Sequence, residues 1–190
     1  ATSRGRPAGA RYHVCARGAR SRTVAESDME PAWRERVEKL AARGITLEAL
    51  LEFYEGLGQQ YMPGYRPGAH TTNDVVRQAI IPVSQTHRSD LASVLMKNRE
   101  TLPMRMVTHW WGNLFRDLVA AILADALQDH SYSMIAELLE RRDVGTLRRI
   151  LMRSGRLLDT YWICAFAVNQ HAGICHDPHG AVHAVTGMPL

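Results

Sequence analysis

The sequence predicts a mixed α/β protein, in which a helical N-terminal annex precedes a βαβ unit. Two apolar, tryptophan-bearing runs, Met106–Trp111 and Tyr161–Val168, have the β-branched and aromatic composition of strands. Several amphipathic helical patterns lie before the first run and between the two runs. A long helical connection between two strands is typical of a crossover that makes the strands parallel.

We expect the chain to comprise a disordered basic tail (1–28), a helical annex (29–100) and an α/β unit (101–190) that is incomplete at its carboxyl end. The tail is basic because residues 1–25 hold six arginines and no acidic residue, whereas the rest of the chain has a slight excess of acids. We therefore predict no nucleic-acid partner. The tail composition fits a linker in a cytoplasmic protein or, alternatively, an organelle transit peptide.

Neither a membrane span nor a disulfide framework is predicted. No apolar run approaches the roughly 18 residues that are needed to cross a bilayer, so a soluble protein is expected. The three cysteines, Cys15, Cys164 and Cys175, are an odd number. This count favours free thiols in a reducing compartment.

The annex is predicted to contain short helices with recognisable ends. Glu30–Arg43 has apolar residues at helical spacing, and Thr46 can cap a second helix. The run Thr71–Asp74 offers N-caps for a short helix over Val75–Ile80, which we expect Pro82 to terminate.

The βαβ unit begins with the first tryptophan-bearing strand, which Gly112 ends. Asn113 is predicted to cap a long helix that buries one wide apolar face, and two shorter helices follow. The run Tyr161–Val168 is almost wholly apolar, as in a strand that is buried on both faces of a parallel sheet. The crossover between the two strands should be right-handed.

The carboxyl ends of the two predicted strands carry the candidate site, because ligands of open α/β sheets bind there. These ends are His109–Asn113 and Asn169–His171. His109 and His171 are candidate general acids or bases near neutral pH. The candidate ligand-binding residues are Trp110, Trp111, Asn113, Asn169 and Gln170.

Such an edge favours a nucleotide or another small anionic ligand, since the free N–H groups of the helix that starts at Asn113 would point to it. No glycine-rich phosphate-binding motif of either common type occurs in the chain. The alternative is that both tryptophans are core or cap residues and that the local backbone satisfies the histidines.

A histidine-rich run near the C-terminus raises a zinc hypothesis. His171, Cys175, His179 and His183 recur at four-residue spacing, and both residue types are zinc ligands. Glycine and proline residues within the run are incompatible with a helix that would place the four side chains on one face. We therefore expect a polar loop without a metal or other cofactor, with zinc as the alternative.

Nucleophilic catalysis by a cysteine is the remaining candidate chemistry. Cys164 falls in the middle of the second predicted strand, where burial would keep its thiol neutral and inert. Cys175 is flanked by His171 and His176 and is the more plausible nucleophile, although no third member of a catalytic group is recognisable.

The chain resembles a large set of uncharacterised proteins from dinoflagellate algal genomes in three segments, HTTNDVVRQAIIP, MVTHWWGNLFRDLVAAILADAL and DTYWICAFAVNQHAGIC. This resemblance spans residues 35–187 and implies no particular activity. More distantly, Val107–Trp111 followed by a helix is similar to the opening of TIR-like domains. That similarity implies a flavodoxin-like α/β fold that serves as an assembly module or as an NAD-cleaving enzyme. The acidic residue that cleaves NAD in those domains lies on a later helix, near a Trp-Cys pair, and no such segment precedes Leu190.

Two hypotheses for function follow. The first, which we favour, is a TIR-like or Rossmann-like module that binds or scaffolds a protein partner, or binds a nucleotide, at His109–Asn113. The second is a hydrolase or transferase domain that uses His109, Asn169 and His171 together with residues beyond Leu190. The first is favoured because no paired carboxylates, nucleophile–base pair or phosphate loop is recognisable in the sequence.

Overall fold

A computed structural model of the chain describes residues 13–16 and 31–173. Helices pack around a mixed four-stranded sheet with the order β1-β3-β4-β2, which confirms the predicted α/β class. The strands are β1 (His13–Ala16), β2 (Ile45–Thr46), β3 (Arg105–Thr108) and β4 (Thr160–Ile163).

The two central strands are parallel neighbours, with Arg105 beside Tyr161 and Val107 beside Ile163. The outer strands β1 and β2 pair antiparallel with β3 and β4. The predicted parallel pair is therefore confirmed. Its connection contains α6 (Phe115–Leu127), α7 (Ser133–Glu140) and α8 (Val144–Arg153). Within the described ranges, no helix is long and apolar enough to cross a membrane.

Both predicted central strands are shorter in the structure than the apolar runs that predicted them. The strand β3 ends at Thr108, and β4 ends at Ile163, where the short helix α9 (Cys164–Ala167) begins. The prediction of one strand over Tyr161–Val168 is therefore wrong in its second half. The change occurs where two alanines enter the run, because alanine is the strongest helix former and lacks the β-branching that favours strands.

The N-terminal half contributes two strands to the sheet as well as helices. Residues Ile45–Thr46 form β2, so the sheet crosses the boundary that was expected at residue 100. Part of the tail that was expected to be disordered, His13–Ala16, pairs along the whole of β3, which corrects that expectation for these four residues. This pairing satisfies backbone groups that an open edge of β3 would leave without partners. Residues 1–12 and 17–28 lie outside the described ranges.

The helices of the N-terminal half begin largely where capping residues predicted them. They are α1 (Pro31–Ala41) and α2 (Leu47–Gly56), followed by α3 (Thr72–Val75), a π-helical turn (Val76–Ile80), α4 (Ile81–Ser84), a 3-10 turn (Gln85–His87) and α5 (Leu91–Leu95). Thr46 caps α2 by accepting a hydrogen bond from the N–H of Ala49 at 3.2 Å. Thr71 and Asp74 form a reciprocal capping box at the start of α3.

Pro82 does not end the helix, contrary to the prediction. It lies in the first turn of α4, directly after the π-helical turn, in which the N–H of Ile81 bonds to the carbonyl of Val76. A helix register that widens at this point accommodates a proline, which lacks an N–H and would clash with the carbonyl of an ordinary preceding turn.

The hydrophobic core extends from α2 across α6 to α9. Phe53, Phe115 and Phe166 are fully buried, and the rings of Phe53 and Phe166 meet edge to face with centroids 5.2 Å apart. Trp162 is 8% exposed, and its indole N–H donates to the carbonyl of Leu40 in α1 at 2.9 Å. The predicted burial of Trp162 and Phe166 is therefore confirmed.

A polar network locks the amino ends of β3 and β4 to α6. The guanidinium of Arg105 donates to the hydroxyl of Tyr161 at 2.9 Å and lies 3.2 Å from the carboxylate of Asp125. The Tyr161 hydroxyl in turn donates to Asp125 at 2.7 Å, and burial raises the pKa of Tyr161. Because these bonds join both strands to one helix, they fix the relative position of the parallel pair.

Candidate functional site

The residues that follow β3 and β4 meet at one edge of the sheet, because the two strands are parallel and adjacent. We call His109–Asn113 together with Cys164 the carboxyl edge. Here the thiol sulfur of Cys164 lies 3.7 Å from Nδ1 of His109, within hydrogen-bonding range for sulfur. Cys164 is a free, partly exposed cysteine at the first position of α9. The prediction that Cys164 lies in the middle of a strand is therefore wrong, because β4 ends one residue before it.

The imidazole of His109 is largely buried, and this burial determines its protonation. Burial lowers the pKa of His109 from 6.5 to about 4, because the charged form loses its water. Its Nε2 atom is buried and has no hydrogen-bond partner within the described part of the chain. At neutral pH the ring is thus uncharged, and only its Nδ1 side is engaged, by Cys164.

The two tryptophans of the carboxyl edge have different surroundings. Trp110 is 73% exposed, whereas Trp111 is partly buried and packs against the core. The indole of Trp110 lies so close to Gly112 that a Cβ added to this glycine would clash with the ring. Gly112 therefore permits the close approach of an aromatic ring. Of the alternative that both tryptophans are core or cap residues, packing against the core holds for Trp111 and not for the exposed Trp110.

Backbone hydrogen bonds to the residues around the start of α3 hold the loop between β3 and α6. The N–H of Thr72 donates to the carbonyl of Asn113 at 2.9 Å, and the N–H of Phe115 donates to the carbonyl of His70 at 3.1 Å. Leu114, and not Asn113 as predicted, is the N-cap of α6, and it makes no side-chain capping bond. Because His70 already occupies the first amide of α6, this helix end is less open to an anion than predicted.

Asn169 and Gln170 do not end a strand, because α9 intervenes between them and β4. The amide nitrogen of Asn169 donates to the carbonyl of Arg88 at 3.0 Å, and that of Gln170 donates to the carbonyl of Ala165 at 3.3 Å. Both side chains, which lie at the start of α10 (Gln170–Gly173), are therefore engaged by backbone carbonyls of other segments.

His171 also has a partner away from Cys164. Its Nε2 lies 3.0 Å from the hydroxyl of Ser84, a buried residue at the end of α4. The Ser84 hydroxyl lies 2.7 Å from the carbonyl of Ile80, to which it donates its proton. The Ser84–His171 pair therefore ties α10 to α4, and the burial of Ser84 keeps its hydroxyl away from any substrate.

The zinc hypothesis rests mainly on residues outside the described ranges, which include Cys175, His179 and His183. Among the residues whose positions are described, no group of three or more histidine, cysteine or acidic side chains is placed to hold a metal ion. His171 is the one member of that run with a described side chain, and it contacts Ser84.

Sequence reasoning missed the pairing of Cys164 with His109. The signal that was available is the change from β-prone residues to alanines after Ile163, which indicates a strand-to-helix junction at Cys164. A side chain at such a junction is displayed at the carboxyl end of its strand, as in the nucleophile turn of α/β hydrolases. The prediction of one strand over Tyr161–Val168 placed Cys164 inside the strand and not at its end.

Comparisons with known proteins found no match to this chain among family models, curated proteins or solved structures. The resemblances to dinoflagellate proteins and to TIR-like domains therefore stay predictions.

Proposed function

We propose that this chain is a Rossmann-like α/β module that binds a small planar ligand of the nucleotide class at its carboxyl edge. The observation that carries the proposal is the parallel pairing of β3 with β4. Ligands of open α/β sheets bind beyond the carboxyl ends of adjacent parallel strands, where the connecting loops diverge. In this chain the segments that leave that edge are the loop that begins at His109 and the helix α9, which begins at Cys164.

The exposed indole of Trp110 favours a ligand with an aromatic ring. An indole that is 73% exposed leaves a large apolar surface in water, and the underlying Gly112 supports the ring from one side. Stacking of a base on an aromatic side chain contributes about 1–3 kcal/mol, and it requires only that the ring face is open. Trp110 is thus suited to stack with a nucleobase.

The backbone contacts at the start of α6 favour recognition of the base of a nucleotide over recognition of its phosphate. The first amide of this helix already donates to the carbonyl of His70. A phosphate at this position would have to compete with that bond for the helix N-terminus. We therefore expect nucleosides to bind nearly as well as the corresponding nucleotides, and inorganic phosphate to bind poorly.

Thermal-shift measurements with a panel of nucleosides, nucleotides and inorganic phosphate test this proposal. A ligand at about 100 times its Kd should add about 2.7 kcal/mol to the stability of the native state. The shift should be largely lost in Trp110→Ala and kept in Leu158→Ala. Leu158 is a matched control because it is also exposed, at 68%, and lies just before β4 at the opposite edge of the sheet.

Two results would contradict the proposal. One is the absence of a shift with every nucleoside and nucleotide at saturating concentration. The other is an equal shift in the wild-type chain and in Trp110→Ala, which would place the ligand elsewhere. Concentration-dependent self-association that no ligand changes, but that Trp110→Ala abolishes, would instead favour an assembly role for the same edge.

A further inference from the structure

We infer that the carboxyl edge is also a catalytic site for acyl transfer, in which Cys164 is the nucleophile and His109 accepts its proton. This inference rests on the proposed function to the extent that both use the same edge. The substrate class is an ester or thioester, whose carbonyl carbon a thiol attacks directly. The imidazole of His109 is uncharged at physiological pH, so it has no built-in charge with which to hold a phosphoryl group.

The position of Cys164 meets the first requirement of such a nucleophile, which is access. Its side chain leaves the backbone at the junction of β4 and α9 and is partly exposed. A cysteine inside β4 would share the full burial of Tyr161 and Ile163 and would be unreachable. The strand-to-helix junction therefore brings the sulfur to the edge where a ligand would lie.

The second requirement is a base within reach of the thiol proton. Nδ1 of His109 is 3.7 Å from the sulfur, which is close enough for proton transfer once a substrate tightens the contact. The contrast with Ser84 and His171 is informative, because the Ser84 hydroxyl donates to the carbonyl of Ile80. For Cys164, the contact with His109 is the one hydrogen bond of the side chain that the described residues show.

The reaction balances without a further reagent. The thiol proton moves to Nδ1 of His109 as the sulfur of Cys164 bonds to the carbonyl carbon of the ester. The bond to the leaving group breaks, and the imidazolium returns the proton to that group, which leaves an acyl thioester on Cys164. Water then attacks the thioester with His109 as base, the carboxylic acid departs, and the proton returns to the sulfur.

The surroundings of His109 predict that its imidazole rests in the neutral form. Burial is the cause of the lowered pKa of His109, and Cys164 is the titratable group that contacts the ring within the described part of the chain. Among the residues that the structure describes, its buried Nε2 has no partner that would stabilise an imidazolium. Proton transfer should therefore accompany attack on the carbonyl and not precede it.

The test uses the full chain with Cys15→Ser and Cys175→Ser, so that Cys164 is the remaining thiol. p-Nitrophenyl acetate serves as the probe, with nitrophenolate release and intact mass as readouts. We expect an acetyl adduct on Cys164 that forms at least about tenfold faster than in the same protein with His109→Gln. This gain is smaller than the roughly 100-fold or more of a general base whose pKa lies near the working pH, because the pKa of His109 is lowered. His171→Gln is the matched control and should react like the parent.

A comparison of folded and urea-unfolded parent protein keeps the test decisive if His109→Gln fails to fold. The inference is overturned if folded Cys164 acetylates no faster than the unfolded thiol, or equally fast with and without His109. Nucleoside binding is measured separately on Cys164→Ala, which keeps Trp110. Binding without acylation refutes catalysis alone, whereas acylation without binding refutes the planar-ligand proposal alone.

Discussion

Replacement of His109 by glutamine should change how the stability of the protein depends on pH. Burial lowers the pKa of His109 from 6.5 to about 4 in the folded chain. Between these two values the unfolded chain binds a proton that the folded chain does not bind, so stability falls as the pH falls through this window. A difference of roughly 2.5 pKa units at about 1.4 kcal/mol each corresponds to a loss of about 3 kcal/mol.

Urea denaturation followed by tryptophan fluorescence, at several pH values from about 7.5 down to about 4, measures this effect. Carboxylates titrate in both proteins, so the informative quantity is the difference in unfolding free energy between the parent and His109→Gln. As the pH falls, the parent should lose about 3 kcal/mol of stability relative to His109→Gln. A curve for His109→Gln that runs parallel to that of the parent would refute the burial of this imidazole.

Three further substitutions test the packing that positions the site. Phe166→Ala should lower the unfolding free energy by about 3–5 kcal/mol, because its ring is fully buried, and a loss below about 1 kcal/mol would contradict this. Asp90→Ala should cost about 2–3 kcal/mol in the same assay, since Asp90 caps α5 and pairs with Arg43 at 3.1 Å; Asp90→Asn should retain part of this stability. Tyr161→Phe should cost about 1–2 kcal/mol by removing the hydroxyl that donates to Asp125, and an unchanged denaturation midpoint would refute that role.

The sequence was sufficient to predict the parallel pair and much of the core. The apolar runs around Val107 and Trp162 mark β3 and β4, and the long helical segment between them requires a crossover. The caps at Thr46 and Thr71 were also predictable, because a threonine before an apolar helical pattern satisfies local N–H groups. The composition of each run and the caps depend on residues near one another in the chain, and the general rule for crossovers supplies the pairing of the two strands.

The features that the sequence did not predict depend on contacts between distant segments or on ambiguous patterns. The pairing of β1 with β3 joins His13–Ala16 to residues some 90 positions later, and no local pattern encodes it. The cap of α6 is displaced to Leu114 because backbone groups at His70 and Thr72 pair with this loop. A short apolar run such as Tyr161–Val168 fits a strand or a buried helix equally well.

The sequence predicted the part of the candidate site that follows β3, but not the part that follows β4. His109 and Trp110 were identified because they follow a strand whose direction could be inferred. Asn169 and His171 were grouped with them only through the assumption that β4 continued to Val168. Once α9 replaces the second half of that strand, Cys164 becomes the residue that faces His109.

The central claim is that His109 and Cys164 meet at the carboxyl edge. The most direct test is the long-range proton–nitrogen NMR spectrum of the histidine rings, recorded as a function of pH for the parent chain and Cys164→Ser. Our interpretation predicts that His109 titrates at about 4, well below an ordinary histidine, because its ring is buried. It also predicts that the substitution shifts the Nδ1 resonance of His109 and leaves His171 unchanged. A His109 ring that titrates at about 6.5 and does not respond to the loss of the Cys164 thiol would contradict the site proposed for this protein.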